Sequence, residues 1–505
     1  MARDPQAALV ALHRFGLGAR GGAAGDFGNA ASDPRGFVKA ELSRPNAALL
    51  DIPGLVSTPA LAKAMFEYQD DVKQAREAAK AMEPATPETR GLPKVPKAAT
   101  TSEPMAAIDA ASRPGSAGEA TQSGADKPAA VAKPVNVVQK TYRAEALARI
   151  QRATIADCGF VEHLVAFWSN HFCISANKGQ PARMWAGAFE REAIRPHVLG
   201  RFADMLKAVE QHPAMLFFLD NQQSIGPDSR AGQNRKRGLN ENLAREIMEL
   251  HTLGVGSGYT QDDVTSFARM ITGWTYVRRK GRLGEPGTFL FNANAHEPGA
   301  QRLLGKVYDN SGIGQGEAAL ADIARHPATA KFIATKFVRH FVADDPPPAL
   351  VARLQGVVTK TDGDLRAMTV ALVDSDEAWH APLTKMRSPY EYLVASGRLL
   401  ARIPEDPGLY LGGLNTLCQP LWTPPGPNGF PDTNATWAAP EGMKLRLDIA
   451  ARISSRIAPS IDPRDLLEVA LADAASNETR QAVARAESRE QALALLLMSP
   501  EFQRR

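Results

Sequence analysis

The chain has 505 residues, of which 44% are hydrophobic and 23% charged, and a formal net charge of +4. These values fit a soluble globular protein, either multidomain or a single large helical domain with insertions. The small charge, with no basic stripe interleaved with aromatics, argues against nucleic acid as a partner, and no run approaches the ~18 apolar residues of a membrane span.

In chain order, Ala8–Phe15 reads as a short helix carrying His13 and Arg14. The following Gly16-Leu17-Gly18-Ala19-Arg20-Gly21 matches GxGxxG in form, but no strand precedes it, so it reads as a turn and not a dinucleotide site. Residues 34–44 and 58–82 read as helices. From about 82 to 135 the composition turns to Ala, Pro, Lys, Ser, Thr and Glu, which cannot offset the entropy of ordering, and a disordered insertion is expected. The expected organisation is an N-terminal helical part, 1–81, the insertion, 82–135, and a main helical domain, 136–505.

A long helix is expected from about Val137 to Asn170. Trp168 and His171 are i,i+3 neighbours near its end, either core residues or site residues. Lys178 and Arg183 follow in a polar loop able to approach an anionic substrate. The apolar run Pro213–Leu219 closes on Asp220 and Asn221, as caps or as polar groups delivered by a buried helix. Residues 222–239 form a basic loop with Arg230, Arg235, Lys236 and Arg237, either a lid or a linker.

The stretch Asn240–Gly254 reads as one helix, capped by Asn240 and stopped by Gly254. At ~100° per residue, Glu241, Asn242, Arg245, Glu246 and Glu249 share a polar arc of roughly 140°, opposite Leu243, Ile247 and Leu250. Glu241–Arg245 and Arg245–Glu249 have i,i+4 spacing, so the arc is either a salt-bridge ladder or the wall of a site. His251 points away from Glu249, which excludes a helical two-ligand metal motif here. Thr260–Asp263 opens a further helix as a capping-box variant, leaving Asp262 the freer acid, with Arg269 seven residues on and Trp274 beyond.

Residues 275–308 are the expected sheet, with Thr288–Phe291 and Gln301–Gly305 as a hairpin and His296 in its exposed loop. Thereafter the chain reads as helical to its end. The expected class is mainly α, one large multi-helix domain with a small β-hairpin. Cys158, Cys173 and Cys418 are too dispersed for a disulfide framework or a CxxC metal pair and are expected as buried thiols.

The string NENLAREIMELHTLGV at 240–255 resembles the hallmark NENxARExxELHTLGV of the bacterial family catalogued as domain of unknown function 1800. Further resemblance runs through Trp168–Phe172, Pro213–Asn221, Gly258–Trp274 and His296. It continues in Lys336–Phe341, Asp344–Pro347, Lys385 with Ser388-Pro389, and a proline-rich loop ending at Trp437. Phe218 stands where tyrosine is commoner in relatives, and Phe430 where tryptophan is usual. The family name carries no reaction. Relatives are often encoded beside a sulfatase-like family, domain of unknown function 1501, which the resemblance implies as a possible partner. With no leader seen, cytoplasm is the default expectation, and export alongside that partner the exception.

No P-loop and no GxSxG elbow is present. The chemistry-bearing set is therefore Glu241, Glu246, Glu249 and Asp262 as candidate catalytic acids, with Arg245, Asn242, Arg269, Trp168, Trp274 and Lys178 as candidate substrate-binding residues. Metal-free hydrolysis, on a glycan or other polymer, would pair one carboxylic acid with one carboxylate. Alternatively His171, His296 and two carboxylates would hold a divalent metal. The third expectation is a non-catalytic accessory of the sulfatase-like partner.

Overall fold

The structure is a computed structural model that describes residues 4–22, 26–82, 134–233, 238–279, 283–457 and 460–505. The insertion expected over 82–135 lies outside the described residues except at its two ends. Contacts group Met1–Phe66 with Asn136–Arg505 in one compact unit and Glu67–Val135 in another. The described part of the second is almost entirely a continuation of the helix Thr58–Met82. The architecture is mainly helical, with two small antiparallel strand pairs. Among the described residues, no helix is long and apolar enough to cross a membrane.

Two helices form the centre of the first unit. Phe160–His171 is apolar nearly all round and buries nine of its residues, and all of Pro389–Leu399 is buried. A helix that is apolar on every side has to be surrounded, so others pack around both. Pro389–Leu399 begins with a reciprocal capping box: Ser388 N–H donates to Glu391 Oε2 at 2.7 Å, and Glu391 N–H to Ser388 Oγ at 3.3 Å.

The long helix expected over 137–170 is broken. Val137–Ile155 ends, Gly159 takes a left-handed turn at φ +83°, and Phe160–His171 starts. The fully buried Arg398 satisfies the freed carbonyls, donating to Ala153 O at 3.0 Å, Ala156 O at 2.5 Å and Asp157 O at 2.7 Å. Arg14 does the same for Ala378, Ala381 and Pro382.

The GxGxxG string is a packing turn, as expected. A Cβ on Gly16 would sit 2.4 Å from Cys158 O, and one on Gly21 1.9 Å from Leu399 O. These glycines allow backbones to touch.

The expected hairpin pairs differently. β1 (Trp274–Tyr276) pairs with β2 (Phe289–Phe291), while β3 (Gln301–Leu303) pairs with β4 (Lys306–Tyr308). Leu304 and Gly305 both have positive φ, 48° and 81°, the conformation of a two-residue hairpin turn. That short closure outcompetes the longer loop that would join 288–291 to 301–305. Cys158 and Cys173 are buried as expected, but Cys418 is exposed.

Candidate functional site

The acidic stretch starts as an α-helix, Asn242–Glu246, and widens to a π-helical turn over Ile247–His251. Leu243, Ala244, Ile247, Met248 and His251 are buried, and His251 Nδ1 pairs with Glu210 at 2.8 Å on the core side. The N-cap position is Glu241, one residue later than expected and without a side-chain cap, while Asn240 Oδ1 accepts the Asn242 N–H at 3.0 Å.

On the outer face, Arg245 bridges Glu241 at 3.1 Å and Glu249 at 3.5 Å, the i,i+4 ladder. Glu241 also accepts from Thr265 Oγ1 at 2.8 Å and Gln261 Nε2 at 2.9 Å, cross-bracing the helix Gln261–Met270. These bonds, that of Thr265 foremost, lower the Glu241 carboxyl pKa.

Glu246 differs. It is half-buried, and desolvation, with Glu249 nearby, raises its carboxyl despite the opposing pull of His251. The Tyr259 hydroxyl, against Glu249, is pushed up to about 12, mainly by burial. Asn242 and Asp262 are exposed. Arg269 is half-buried with Nε unpartnered.

The remaining sequence candidates are scattered. Trp168 and Trp274 are fully buried, which corrects their expected role in substrate contact: both rings belong to the core. Lys178 is held by Asp220 at 2.6 Å. Asp220 and Asn221 are not side-chain caps, and Asn221 Nδ2 bonds Ile271 O and Trp274 O at 3.2 and 3.1 Å.

His296, expected exposed, is buried, with Nδ1 3.1 Å from Thr272 O and its ring edge-on to Phe291. His171 is buried too, with Nε2 3.1 Å from His251 O. Neither belongs to any cluster of three or more metal-capable side chains among the described residues, which corrects the expected ligand pair. Of the basic loop, residues 234–237 lie outside the described residues. The rest is pinned to the His296 loop through Gly226 N–H to Ala295 O at 2.9 Å and Ala231 N–H to Asn294 O at 2.8 Å.

Three adjoining pockets lie around the proline-rich loop. Phe430 N–H donates to Asn170 Oδ1 at 2.8 Å and Phe430 O accepts from Asn170 Nδ2 at 2.9 Å, clamping the loop to the end of the helix Phe160–His171. Phe430 and Pro431 line all three, a small cavity of ≈ 90 Å³, a cleft of ≈ 200 Å³ and a third pocket of ≈ 400 Å³. Arg149, Glu190, Glu391 and His340 line the cavity; His171, Lys336, Arg339 and His340 line the cleft.

Behind these walls runs a network of buried charge. His340 Nδ1 lies 2.8 Å from Asp432 Oδ2, and Asp432 Oδ1 accepts from the buried Lys385 Nζ at 3.1 Å. Lys385 also pairs with Asp344 at 2.9 Å. Arg505 Nε donates to Glu391 Oε2 at 3.0 Å, while Glu391 Oε1 faces His163 Nε2 at 2.8 Å and His163 Nδ1 faces Phe15 O at 2.9 Å.

Glu391 and Asp432 are held well below the usual carboxylate range by their cationic neighbours, against the opposing effect of burial. His340 Nε2 is buried and has no hydrogen-bond partner. One ligand atom from each of His163, His340 and Glu391 lies within 4.8 Å of the others, the one such trio among the described residues.

A second network, Arg195 bonded to Glu162 at 2.8 and 2.9 Å and to Glu190 at 3.1 Å, supports the other wall. Sequence reasoning missed His163, Glu391 and Asp432, and noted Lys336 and His340 only as part of a resemblance. The available signal was charge inside apolar helices: His163 within Phe160-Val161-Glu162-His163-Leu164-Val165, and Glu391 within a wholly buried helix.

The chain belongs to the family described as Protein of unknown function (DUF1800), whose model matches residues 10–504. No curated protein and no solved structure matches the chain.

Proposed function

We propose that this DUF1800 family member is a metal-dependent hydrolase, its divalent ion held by His163 Nε2, His340 Nε2 and Glu391 Oε1, of which His340 and Glu391 line the cavity. The observation that carries this reading is the convergence of the three side chains within 4.8 Å. Each histidine already has Nδ1 against an oxygen, Phe15 O at 2.9 Å and Asp432 Oδ2 at 2.8 Å. With Nδ1–H donated there, each Nε2 would present its lone pair to an ion, and that of His340 has no other partner.

Arg505 and the capping box occupy Glu391 Oε2, which keeps the carboxylate ionised and presents Oε1. His163 Nε2 lies 2.8 Å from that oxygen, a hydrogen bond that the ion would replace. Two imidazoles and a carboxylate suit zinc, iron(II) or manganese. Held by three protein ligands, such an ion would supply Lewis-acid activation of water for hydrolysis. Hydrolysis is the reaction class that this set supports with water as the sole co-substrate.

The test is metal content of tag-free, dialysed protein, with His163→Ala, His340→Ala and Glu391→Gln beside it, followed by a panel of esters, phosphoesters and glycans. About one tightly held ion per chain, lost in the variants, is expected. Wild-type protein without tight transition-metal binding after reloading with zinc, iron(II) or manganese would overturn the reading.

A second reading, metal-free acid–base hydrolysis, is favoured by Glu246. Its raised carboxyl beside the Arg245-paired Glu249 gives two acids whose environments differ, the pattern that separates a general acid from a base. Glu246→Gln abolishing turnover while metal removal leaves it intact would select this reading. The accessory role beside a sulfatase-like DUF1501 protein predicts a stable complex in a pull-down with no intrinsic turnover. Cell fractionation distinguishes the cytoplasm from export with that partner.

A further inference from the structure

We propose that the cleft beside the proposed metal site seats a tetrahedral oxyanion, a phosphoryl or sulfuryl group of the substrate, on Lys336 and Arg339. This rests on the hydrolase reading for its link to catalysis, and on its own geometry for the binding itself.

Lys336, Arg339 and His340 stand at i, i+3 and i+4 of the helix Pro327–Phe341, so they share one face, and all three line the ≈ 200 Å³ cleft. Among the described residues, neither Lys336 nor Arg339 forms an ion pair, although the neighbouring Lys385 has two carboxylate partners. The nearby carboxylate that attracts Lys336, Asp432, spends its oxygens on His340 and Lys385.

Lys336 is half-buried, with its ammonium 5.5 Å from the centre of the Phe332 ring and no hydrogen-bond acceptor. Burial lowers its pKa to about 8, the mark of a cation short of counter-charge. Arg339 donates Nε to Asp344 O at 3.2 Å and keeps the other edge of its guanidinium for an anion. His171 lines the same cleft wall, but its proton is on Nε2, against His251 O at 3.1 Å, and its unpartnered Nδ1 is an acceptor that takes no part in holding the anion.

A half-buried amine at a Schiff-base position would look similar in isolation, but it would not call for a second cation without a carboxylate partner one helical turn away, the exposed Arg339. An oxyanion answers both charges and accepts from both side chains. His340 lines both the cleft and the cavity, so a group seated on Lys336 places the adjoining part of its substrate toward the metal-ligand cluster.

The experiment titrates inorganic phosphate, and separately sulfate, into metal-stripped full-length protein at pH 7 by calorimetry, with Lys336→Met, Lys336→Arg and Arg339→Gln in parallel. Circular dichroism and melting curves establish that each variant is folded. The expected result is one anion per chain, at least tenfold weaker in Lys336→Met, several-fold weaker in Arg339→Gln and largely kept in Lys336→Arg. A preference for one anion assigns the phosphoryl or sulfuryl group. Absence of binding by the wild type, or equal binding by folded Lys336→Met, overturns the proposal. Stripping the metal keeps the two readings apart: loss of anion binding with metal affinity intact sinks the seat alone, and the reverse sinks the metal site alone.

Discussion

His340 and Asp432 meet at 2.8 Å, Nδ1 to Oδ2, although 92 residues separate them in the chain. The contact ties the helix Pro327–Phe341 to the proline-rich loop and turns Nε2 of the ring, the atom without a partner, away from its carboxylate. That orientation presents His340 Nε2 to His163 and Glu391.

Asp432→Asn is therefore expected to act on two quantities. Lys385, almost fully buried, loses one of its two carboxylates, and removing one partner from a buried pair costs about 3–5 kcal/mol. Half that loss or more is expected here, because Asp344 remains. Metal affinity should fall about 10- to 100-fold, as when a ligand's outer-shell partner is removed. Urea unfolding and metal competition measure the two separately.

Lys336 sets a pH dependence. Its folded pKa, about 8, lies below the 10.5 of the free side chain, so the unfolded chain binds more protons between those values. The lysine's contribution therefore makes the protein more stable as pH rises from about 8 to 10.5, where the penalty of a buried ammonium disappears. The opposing and assisting charges around it are Arg339, Asp432 and the Cys173 thiol, with His171 across the cleft. Lys336→Met should stabilise by about 1–2 kcal/mol at pH 7, after discounting for partial exposure, and the gain should shrink across that window. Phosphate affinity should fall as pH rises through about 8. Denaturation midpoints at pH 7 and 10, and calorimetry at pH 7 and 9, check both.

The acidic ladder predicts a quieter result. Glu241→Gln breaks partly exposed contacts with Arg245, Gln261 and Thr265, and should cost about 1 kcal/mol or less. It should leave metal content unchanged. Glu246→Gln replaces a half-buried, unpartnered carboxyl with a neutral isostere and should be neutral or slightly stabilising. Turnover unchanged in both would confine the chemistry to the proline-rich-loop cavity.

The wall formed by Arg195 is structural. Glu190→Gln removes a buried charge shared by Arg149, Arg195, Ser169 and Trp422. The expected loss is about 3–5 kcal/mol, read as a lower unfolding midpoint with unchanged slope. A cost below 1 kcal/mol would mean that the network is not structural.

The helical class, the turn at Gly16–Gly21 and the ladder at Glu241–Arg245–Glu249 were legible because each is set by local periodicity or spacing. The break before Phe160 was not, because its carbonyls are satisfied by Arg398, more than 200 residues away. The strand pairing failed for a related reason: the Leu304-Gly305 turn decides it, and leucine does not announce a positive φ. At the candidate site, the acidic helix stood out as the densest run of charge, but such a run on one face can pair with itself. His163 and Glu391 lie singly in apolar helices, and only the tertiary fold brings them to His340. Trp168 and Trp274 mark the converse: aromatic residues in a family hallmark, spent on the core.

The most direct test of the account is metal binding followed through the ligands themselves. Cobalt(II) is titrated into metal-stripped protein while its visible absorption is recorded, for wild type and for folded His340→Ala and Glu391→Gln. The account predicts one equivalent with intense ligand-field bands, lost or strongly weakened in both variants, and retained in His171→Ala. A wild-type protein that gives no such bands, or variants that bind cobalt as the wild type does, would contradict it.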